Sequence, residues 1–159
     1  MQRARPATGF TLMELIVVIA VLGVLATLAL PRLQAALGGR AESYRDSVVA
    51  GLRLAGATAQ GHRRLVCASF DASHQLSLRI AAANPATTCS HDLSGPDASA
   101  VWARAPAGVS LQGSPGRHLY FQPDGLVTTT GAGRSGSDFS LQPAGMSAIT
   151  VRGSDGLVE

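Results

Sequence analysis

The sequence predicts an α+β protein in which a long N-terminal helix packs against a small antiparallel β-sheet or β-sandwich domain. Three observations support this class: an apolar run near the N-terminus, a helical stripe of apolar residues after it, and a second half made of short alternating segments. The length of 159 residues allows one modest domain beside a membrane helix. We divide the chain into an N-terminal segment (1–9), the apolar run (10–30), its helical continuation (31–62) and a β-rich domain (63–159).

The apolar run extends from Phe10 to Leu30 and contains one ionisable side chain, Glu14. Its 21 residues would form a helix of roughly 31 Å, the thickness of the hydrocarbon core of a bilayer. A secretory signal peptide is the alternative, because two arginines precede the run. Signal peptides have a shorter apolar region followed by a small-residue cleavage site. Here the small residue, Gly9, precedes the run, so we predict a membrane-spanning helix.

Residues 31–62 continue the helix with a single apolar face. Pro31 lacks an N–H group and crowds the carbonyl of Thr27, so we expect a kink there. Apolar residues then recur every three or four positions, at Leu33, Leu37, Ala41, Tyr44, Val48, Leu52, Ala55 and Ala59. This stripe predicts an amphipathic helix that ends near Gly61-His62 and covers the C-terminal domain.

From Leu65 the pattern changes to the alternation that is typical of short strands. The segments LVCASF and QLSLRIAA predict a hairpin around the turn ASH. Residues 84–98 are rich in Pro, Ser, Asp and Gly and are interpreted as a loop. Further strands are predicted at AVWARA, VSLQG, HLYFQ, LVTTT, DFSLQ and AITVRG, with turn signals between them. Such short, regularly spaced strands favour a small sandwich, or a pair of sheets packed on the helix.

The residues that could carry chemistry form no recognisable site. The four histidines and two cysteines show no metal-ligand spacing, and no motif surrounds a candidate nucleophile. The glycine-rich run at residues 131–137 lacks the lysine of a phosphate-binding loop and is interpreted as a flexible turn. We therefore predict no enzymatic activity, no cofactor and no metal.

The charge balance argues against nucleic acid as a partner. The whole chain carries a formal charge of +3, which includes two arginines within residues 1–9. Without those nine residues, 11 arginines would face 10 acidic residues, a balance of +1. Such a balance provides no electrostatic footprint for binding DNA or RNA.

The segment G-F-T-L-M-E-L closely resembles the start of type IV pilins and of the pseudopilins of type II secretion systems. In that family a short basic leader ends in Gly, a prepilin peptidase cuts after it, and the new N-terminus, usually Phe, is methylated. A Glu follows four residues later. Here Arg3 and Arg5 stand in the leader, and Gly9 precedes the expected cut. Phe10 and Glu14 match the methylated residue and the glutamate.

Met13 replaces the branched aliphatic residue that is more usual in that family, and Pro31 stands where many members have a proline. The resemblance implies a pilin-like fold and assembly with other pilin-like subunits. Glu14 would then pair with the methylated amine of Phe10 on a neighbouring subunit. The reason is that placing a lone carboxylate at the centre of a bilayer costs on the order of 3 kcal/mol. The alternative is a glutamate that only faces the lipid headgroups.

Weaker motifs in the second half resemble the GspH/FimT group of minor pseudopilins and minor pilins. These motifs are V-C at 66–67, the second Cys at 89, Trp102, L-Y-F-Q-P-D-G at 119–125 and I-T-V-R-G-S-D-G at 149–156. Some FimT-type members bind DNA through a basic Gly-Arg-x-Arg stretch near the C-terminus. This chain has Val151-Arg152-Gly153 there, without the second arginine and with Asp155 close by. We therefore do not expect DNA as a partner.

Cys67 and Cys89 both follow the apolar run, so the implied topology places them in the periplasm, where oxidation is permitted. A bridge between them would close a loop of about 22 residues and add roughly 3 kcal/mol in the chain-entropy model. Spacing alone does not establish the pairing. We predict the bridge from the expected location.

Together these features predict a minor pilin or pseudopilin subunit, placed in the inner membrane with its C-terminal domain in the periplasm. Its expected partners are other pilin-like subunits, prepilin peptidase, membrane lipid and the inner-membrane assembly platform. Its expected action is to initiate or cap a filament, either a type II secretion pseudopilus or a type IV pilus. Two alternatives are a FimT-like DNA receptor in natural transformation and an anchored periplasmic domain that never polymerises.

Overall fold

The computed structural model of the chain describes residues 12–159, apart from the side chains of residues 27–38. The chain divides into two compact units, Met1–Gly39 and Arg40–Glu159. One helix, α1 (Leu12–His62), contributes residues to both units and is helical at Pro31. The side chain of Pro31 lies outside the described residues, and the kink expected there stays a prediction.

Nine short strands follow the helix, and they pair entirely in antiparallel fashion. They are β1 (Val66–Phe70), β2 (Leu76–Ile80), β3 (His91–Leu93), β4 (Val101–Ala103), β5 (Leu111–Ser114), β6 (His118–Phe121), β7 (Val127–Thr128), β8 (Phe139–Pro143) and β9 (Ile149–Val151). The first sheet has the order β3-β2-β1-β6-β7, with β4 also paired to β2. The second has the order β5-β8-β9. The predicted α+β class is therefore confirmed, with two antiparallel sheets.

Strand β3 lies inside the segment 84–98 that the sequence predicts to be a loop, so that part of the prediction is wrong. Its three residues show no buried alternation. They pair with β2 in the register Leu78↔Leu93, Arg79↔Asp92 and Ile80↔His91. The other edge of β2 is occupied by β1, so β3 and β4 share the remaining edge. Pairing with the preceding strand, rather than local propensity, makes this segment extended.

The hydrophobic core of the second unit lies between the C-terminal half of α1 and both sheets. The helix contributes Tyr44, Val48, Leu52, Ala55 and Ala59, all buried. The sheets contribute the inward side chains of their alternating strands, for example Leu78, Phe121, Phe139, Leu141 and Ile149. The buried helix residues recur at steps of four or three, which puts them on one face of the helix. Full burial of each large aliphatic or aromatic side chain contributes about 1.5–3 kcal/mol.

Two arginines on α1 fasten the helix to backbone carbonyls near the second sheet. Arg45 donates to the carbonyls of Ser147 and Ala148, at 3.2 and 3.5 Å. Arg53 donates to the carbonyl of Val158 through Nε at 3.2 Å and Nη2 at 2.9 Å. Because a guanidinium presents several donors in a fixed fork, both contacts also orient the helix.

The chain after β9 returns along that strand, a pairing that the sequence pattern does not predict. The N–H of Thr150 donates to the carbonyl of Glu159, and the N–H of Glu159 donates to the carbonyl of Thr150, both at 2.9 Å. Val151 and Val158 form a bridge there, and both are buried. The returning segment covers the outer edge of β9 and supplies the acceptor for Arg53.

A disulfide joins Cys67 on β1 to Cys89, just before β3, with the two Cα atoms 6.1 Å apart. The predicted bridge is thus present in the structure. It spans 22 positions of sequence and ties the segment between β2 and β3 to the first sheet. In the chain-entropy model, closing a loop of this length stabilises the fold by roughly 3 kcal/mol.

Trp102 on β4 packs against α1 at a position that requires glycine. Its indole Nε1 donates to the carbonyl of Ser47 at 3.0 Å. A Cβ atom at Gly51 would lie 2.4 Å from the indole Cδ1 and 2.9 Å from Leu76 Cδ2, closer than atoms can approach. The glycine therefore opens a notch in the helix surface that the indole fills.

Tyr44 makes a hydrogen bond between α1 and the first sheet. Its hydroxyl donates to the carbonyl of His74 in the β1–β2 turn. Burial, and secondarily the carboxylate of Asp71, raises the pKa of Tyr44 to about 12. The neutral phenol is therefore the form that the folded state holds.

We expect Gly51→Ala to displace the indole of Trp102 and to lower the free energy of unfolding by about 1–3 kcal/mol, as overpacking does. Trp102 is the single tryptophan of the chain, so its emission should shift to longer wavelength. Gly61→Ala is the matched control, because a Cβ there has no atom within 4 Å. The control should keep the emission maximum and should not lose stability. An unchanged emission spectrum in Gly51→Ala would show that the notch is not needed.

The raised pKa of Tyr44 predicts a loss of stability at alkaline pH. The folded state retains the phenol proton up to about pH 12, whereas an unfolded tyrosine loses it near pH 10. Between these values the folded state binds more protons, so the free energy of unfolding should fall as pH rises. Urea titrations in detergent between pH 9 and 11.5, followed by Trp102 emission, measure this slope. Tyr44→Phe should flatten it, and equal slopes in the two proteins would contradict the assignment.

Candidate functional site: an exposed apolar helix segment

The first part of α1 presents apolar side chains to its surroundings on every side. Each residue from 12 to 26 is exposed. The exposed large side chains range from 46% for Val18 to 76% for Leu12 and include Met13, Leu15, Ile16, Val17, Ile19, Val21, Leu22, Val24 and Leu25. A contiguous apolar surface of this kind marks a membrane or protein interaction site. We call residues 12–26 the apolar segment.

Sequence explains why this segment has no buried face. Glu14 is the one polar side chain among residues 12–26, so the segment lacks the hydrophobic and polar sides of an amphipathic helix. The residues are mainly Leu, Ile, Val and Ala. Van der Waals contact with lipid tails or with similar helices is therefore the interaction that this segment can make on all sides.

Glu14 lies in the first turn of α1 and is exposed. An acidic side chain near a helix N-terminus is favoured by the positive end of the helix dipole. Its carboxylate can accept hydrogen bonds from a cation, and an ammonium group would form a charge-assisted pair with it. Within the apolar segment it is the group that can recognise a charged partner.

The other N-terminal residues of the predicted site are not described. Gly9 and Phe10, the expected cleavage and methylation positions, lie outside the described residues, as does the side chain of Pro31. The predicted span, residues 10–30, is thus described only in part. No described helical stretch combines the length and the apolar character needed to cross a membrane.

The arginine near the C-terminus, Arg152, is paired within its own turn. Arg152 Nη1 lies 2.9 Å from Asp155 Oδ2, and both side chains are about half exposed. The turn is closed by hydrogen bonds from the N–H of Arg152 to the carbonyl of Leu157 and from the N–H of Gly156 to the carbonyl of Arg152. Arg152 therefore presents little net positive charge to a phosphate backbone. Elsewhere in the described chain, no three His, Cys, Asp or Glu side chains converge to hold a metal.

Sequence reasoning missed a groove in the second unit, with a volume of about 720 Å³. Three loops form it: residues 84–87 of the disulfide-bounded segment, residues 122–124 after β6, and residues 131–134 of the glycine-rich run. The run is a turn, as predicted, but it is fixed by side chains. Gln122 Nε2 donates to the carbonyl of Gly131 at 3.2 Å, and Thr128 Oγ1 donates to the carbonyl of Thr130 at 2.7 Å. No local sequence signal brings these three loops together.

A comparison with protein families finds a match to the prokaryotic N-terminal methylation motif over residues 5–30. No curated protein and no solved structure matches the chain. The matched residues include the expected cleavage site, Glu14 and the apolar segment. The motif is the signal of type IV pilin-like proteins, which are processed by prepilin peptidase and assemble with other pilin subunits. It therefore supports the pilin or pseudopilin class for this chain, and with it a membrane-anchored or filament-incorporated protein.

Proposed function

We propose that the chain is a minor pilin or pseudopilin of the GspH/FimT type that helps to initiate or cap a filament. The observation that carries the proposal is the methylation motif over residues 5–30. The architecture supports it, because an exposed apolar segment precedes a helix half that packs on two antiparallel sheets. The protein acts as a structural subunit rather than as an enzyme. The filament is either a type II secretion pseudopilus or a type IV pilus.

In this proposal the leader, residues 1–9, is removed by prepilin peptidase, and Phe10 becomes a methylated N-terminus. The apolar segment then anchors the protein in the inner membrane, where lipid tails cover its side chains. The C-terminal unit lies in the periplasm. The disulfide between Cys67 and Cys89 fits that location, since disulfides persist in an oxidising compartment.

Assembly follows from exchanging lipid contacts for contacts with similar helices. Such an exchange gains little by hydrophobicity alone, because lipid tails are as apolar as leucine. A charge pair selects its partner more sharply than apolar contact does. Methylation leaves the amine of Phe10 protonatable, so it can pair with Glu14 of the neighbouring subunit and neutralise both groups. Only a neighbour at the correct axial offset provides that pair, which makes Glu14 a register device for recruitment by the assembly platform.

A DNA receptor of the FimT type is the alternative, and it has less support. Arg152, the arginine at the position of the basic stretch, is paired with Asp155. The second unit, residues 40–159, contains 10 arginines and 9 acidic residues. A receptor that neutralises several phosphates would lose affinity steeply with salt, and such a dependence would favour this alternative.

Processing is the first test of the proposed function. In cells that contain prepilin peptidase, the intact mass of membrane-extracted protein should lack residues 1–9 and carry one additional methyl group. Gly9→Leu should block the cut and leave the full-length mass. Retention of Met1 in the unmodified protein would contradict the assignment to this class.

The role of Glu14 is the second test. Glu14→Leu should still be processed and inserted, because it makes the helix more apolar. It should lose cross-linking to the other filament subunits, together with secretion or piliation, since the pair with Phe10 of the neighbour is absent. Met13→Leu is the matched control at the adjacent exposed position and should assemble normally. Wild-type assembly of Glu14→Leu would falsify the register mechanism.

A further inference from the structure

Strand β5 leaves one edge of the second sheet without a partner strand. In the order β5-β8-β9, the outer edge of β9 is covered by the returning segment described above. β5 pairs with β8 alone, and its residues make no further backbone hydrogen bond within the described chain. An edge of this kind presents unpaired N–H and C=O groups to any strand that reaches it. We call it the β5 edge.

The pairing with β8 determines which backbone groups lie on the β5 edge. The N–H of Ala144 donates to the carbonyl of Ser110, one step before the opposed pair Leu111 and Pro143. Hydrogen-bonded and non-hydrogen-bonded pairs alternate along an antiparallel ladder. Leu111 and Gly113 are therefore the residues that direct their N–H and C=O groups away from β8. Pro143 has no N–H to donate, which agrees with a non-hydrogen-bonded pair at Leu111.

The β5 edge lacks the charged side chains that protect other sheet edges. No ionisable side chain occurs among residues 105–116. Beside β3 and β4, at the outer edge of the first sheet, exposed ion pairs join Arg79 to Asp92 and Arg104 to Asp97. Charged side chains on an edge discourage pairing between molecules. The β5 edge is therefore open to another strand without a charge placed against it.

A second copy of the same strand fits the β5 edge when the two strands run antiparallel about a two-fold axis at Gln112. In that register Leu111 of each copy lies opposite Gly113 of the other. Both residues direct their backbone groups to the shared edge, so every N–H and C=O of these residues finds a partner across the axis. A register shifted by one residue would oppose residues whose backbone groups point away from each other. The contact is self-complementary, as the isologous interfaces of dimers are.

The side chain at the centre of this register favours the same partner. Gln112 would lie directly opposite Gln112 of the second copy, with the two Cα atoms about 4.5 Å apart, as in a non-hydrogen-bonded pair. Its side chain is exposed and makes no hydrogen bond within the described chain. A carboxamide both donates and accepts, so two of them can bond reciprocally across the axis.

We propose that the β5 edge joins two copies of this chain by antiparallel strand pairing centred on Gln112. The second sheets of the two copies then form one continuous sheet across the axis. The contact is small beside a standard protein interface, so it acts between copies that a shared membrane or filament already holds close together. It lies in the second unit and needs neither Glu14 nor leader cleavage, and in this it goes beyond the proposed function.

Cysteine trapping in membranes tests the register with the full-length chain. Both native cysteines are bridged, so Gln112→Cys supplies the one free thiol. A Cα separation of about 4.5 Å suits a disulfide, and mild oxidation should give a covalent dimer on non-reducing electrophoresis. Ser140→Cys, at an exposed position of the neighbouring strand β8, is the matched control and should stay monomeric. Equal dimer yields from the two variants, or capture of a different protein by Gln112→Cys, would overturn the proposal.

Charge substitution at the axis separates strand pairing from contacts through the apolar segment. Two differently tagged copies that both carry Gln112→Glu should co-purify roughly fivefold less than wild-type copies, because like charges stand directly opposite. Combining a Gln112→Glu copy with a Gln112→Arg copy should restore co-purification, which a misfolded variant would not do. Undiminished co-purification of the two Glu copies, or no recovery in the mixed pair, contradicts the proposal. Because the unprocessed chain suffices, failure here leaves the tests of processing and of Glu14 unaffected.

Discussion

Burial of one face of α1 is the interaction on which the folded part of this protein depends. The stripe from Tyr44 to Ala59 is the surface against which both sheets complete their cores. Strands of two to five residues have little stability of their own. Covering their inward side chains with a helix supplies the apolar burial that isolated short strands lack. The other contacts of the helix, through Arg45, Arg53 and Trp102, act on elements that this burial has already brought together.

The same helix carries a second kind of surface in the first unit. Residues 12–26 are apolar on every side, whereas residues 40–62 are apolar on one face. A helix that buries one stripe is suited to a globular core, and a helix that is apolar all round is suited to lipid or to a bundle of similar helices. The family match covers the surface that is apolar all round. The fold of the second unit uses the surface that is apolar on one face.

Several glycines of the second unit stand where two parts of the chain approach too closely for a side chain. Gly51 makes room for an indole, and Gly131 makes room for a backbone carbonyl of the disulfide-bounded loop. Gly136 and Gly153 likewise allow two backbone segments to approach, since a Cβ at Gly153 would lie 2.2 Å from the N atom of Ser137. The abundant glycine of the sequence is therefore partly a packing requirement. Glycine does not simply indicate flexible turns, which is what the sequence predicts for residues 131–137.

The sequence by itself determined the features that depend on local pattern. Periodicity predicts the helix stripe and most strands, because hydrophobic spacing reports which face is buried. The methylation motif is likewise contiguous, so Gly9, Phe10 and Glu14 can be recognised without a fold. Only the tertiary structure decided how separate segments meet. The notch for Trp102 and the groove formed by the loops at 84–87, 122–124 and 131–134 join residues far apart in sequence. The pairing of β3 with β2 and the return of residues 157–159 along β9 join neighbouring segments. In both cases no local propensity encodes which partner will be met.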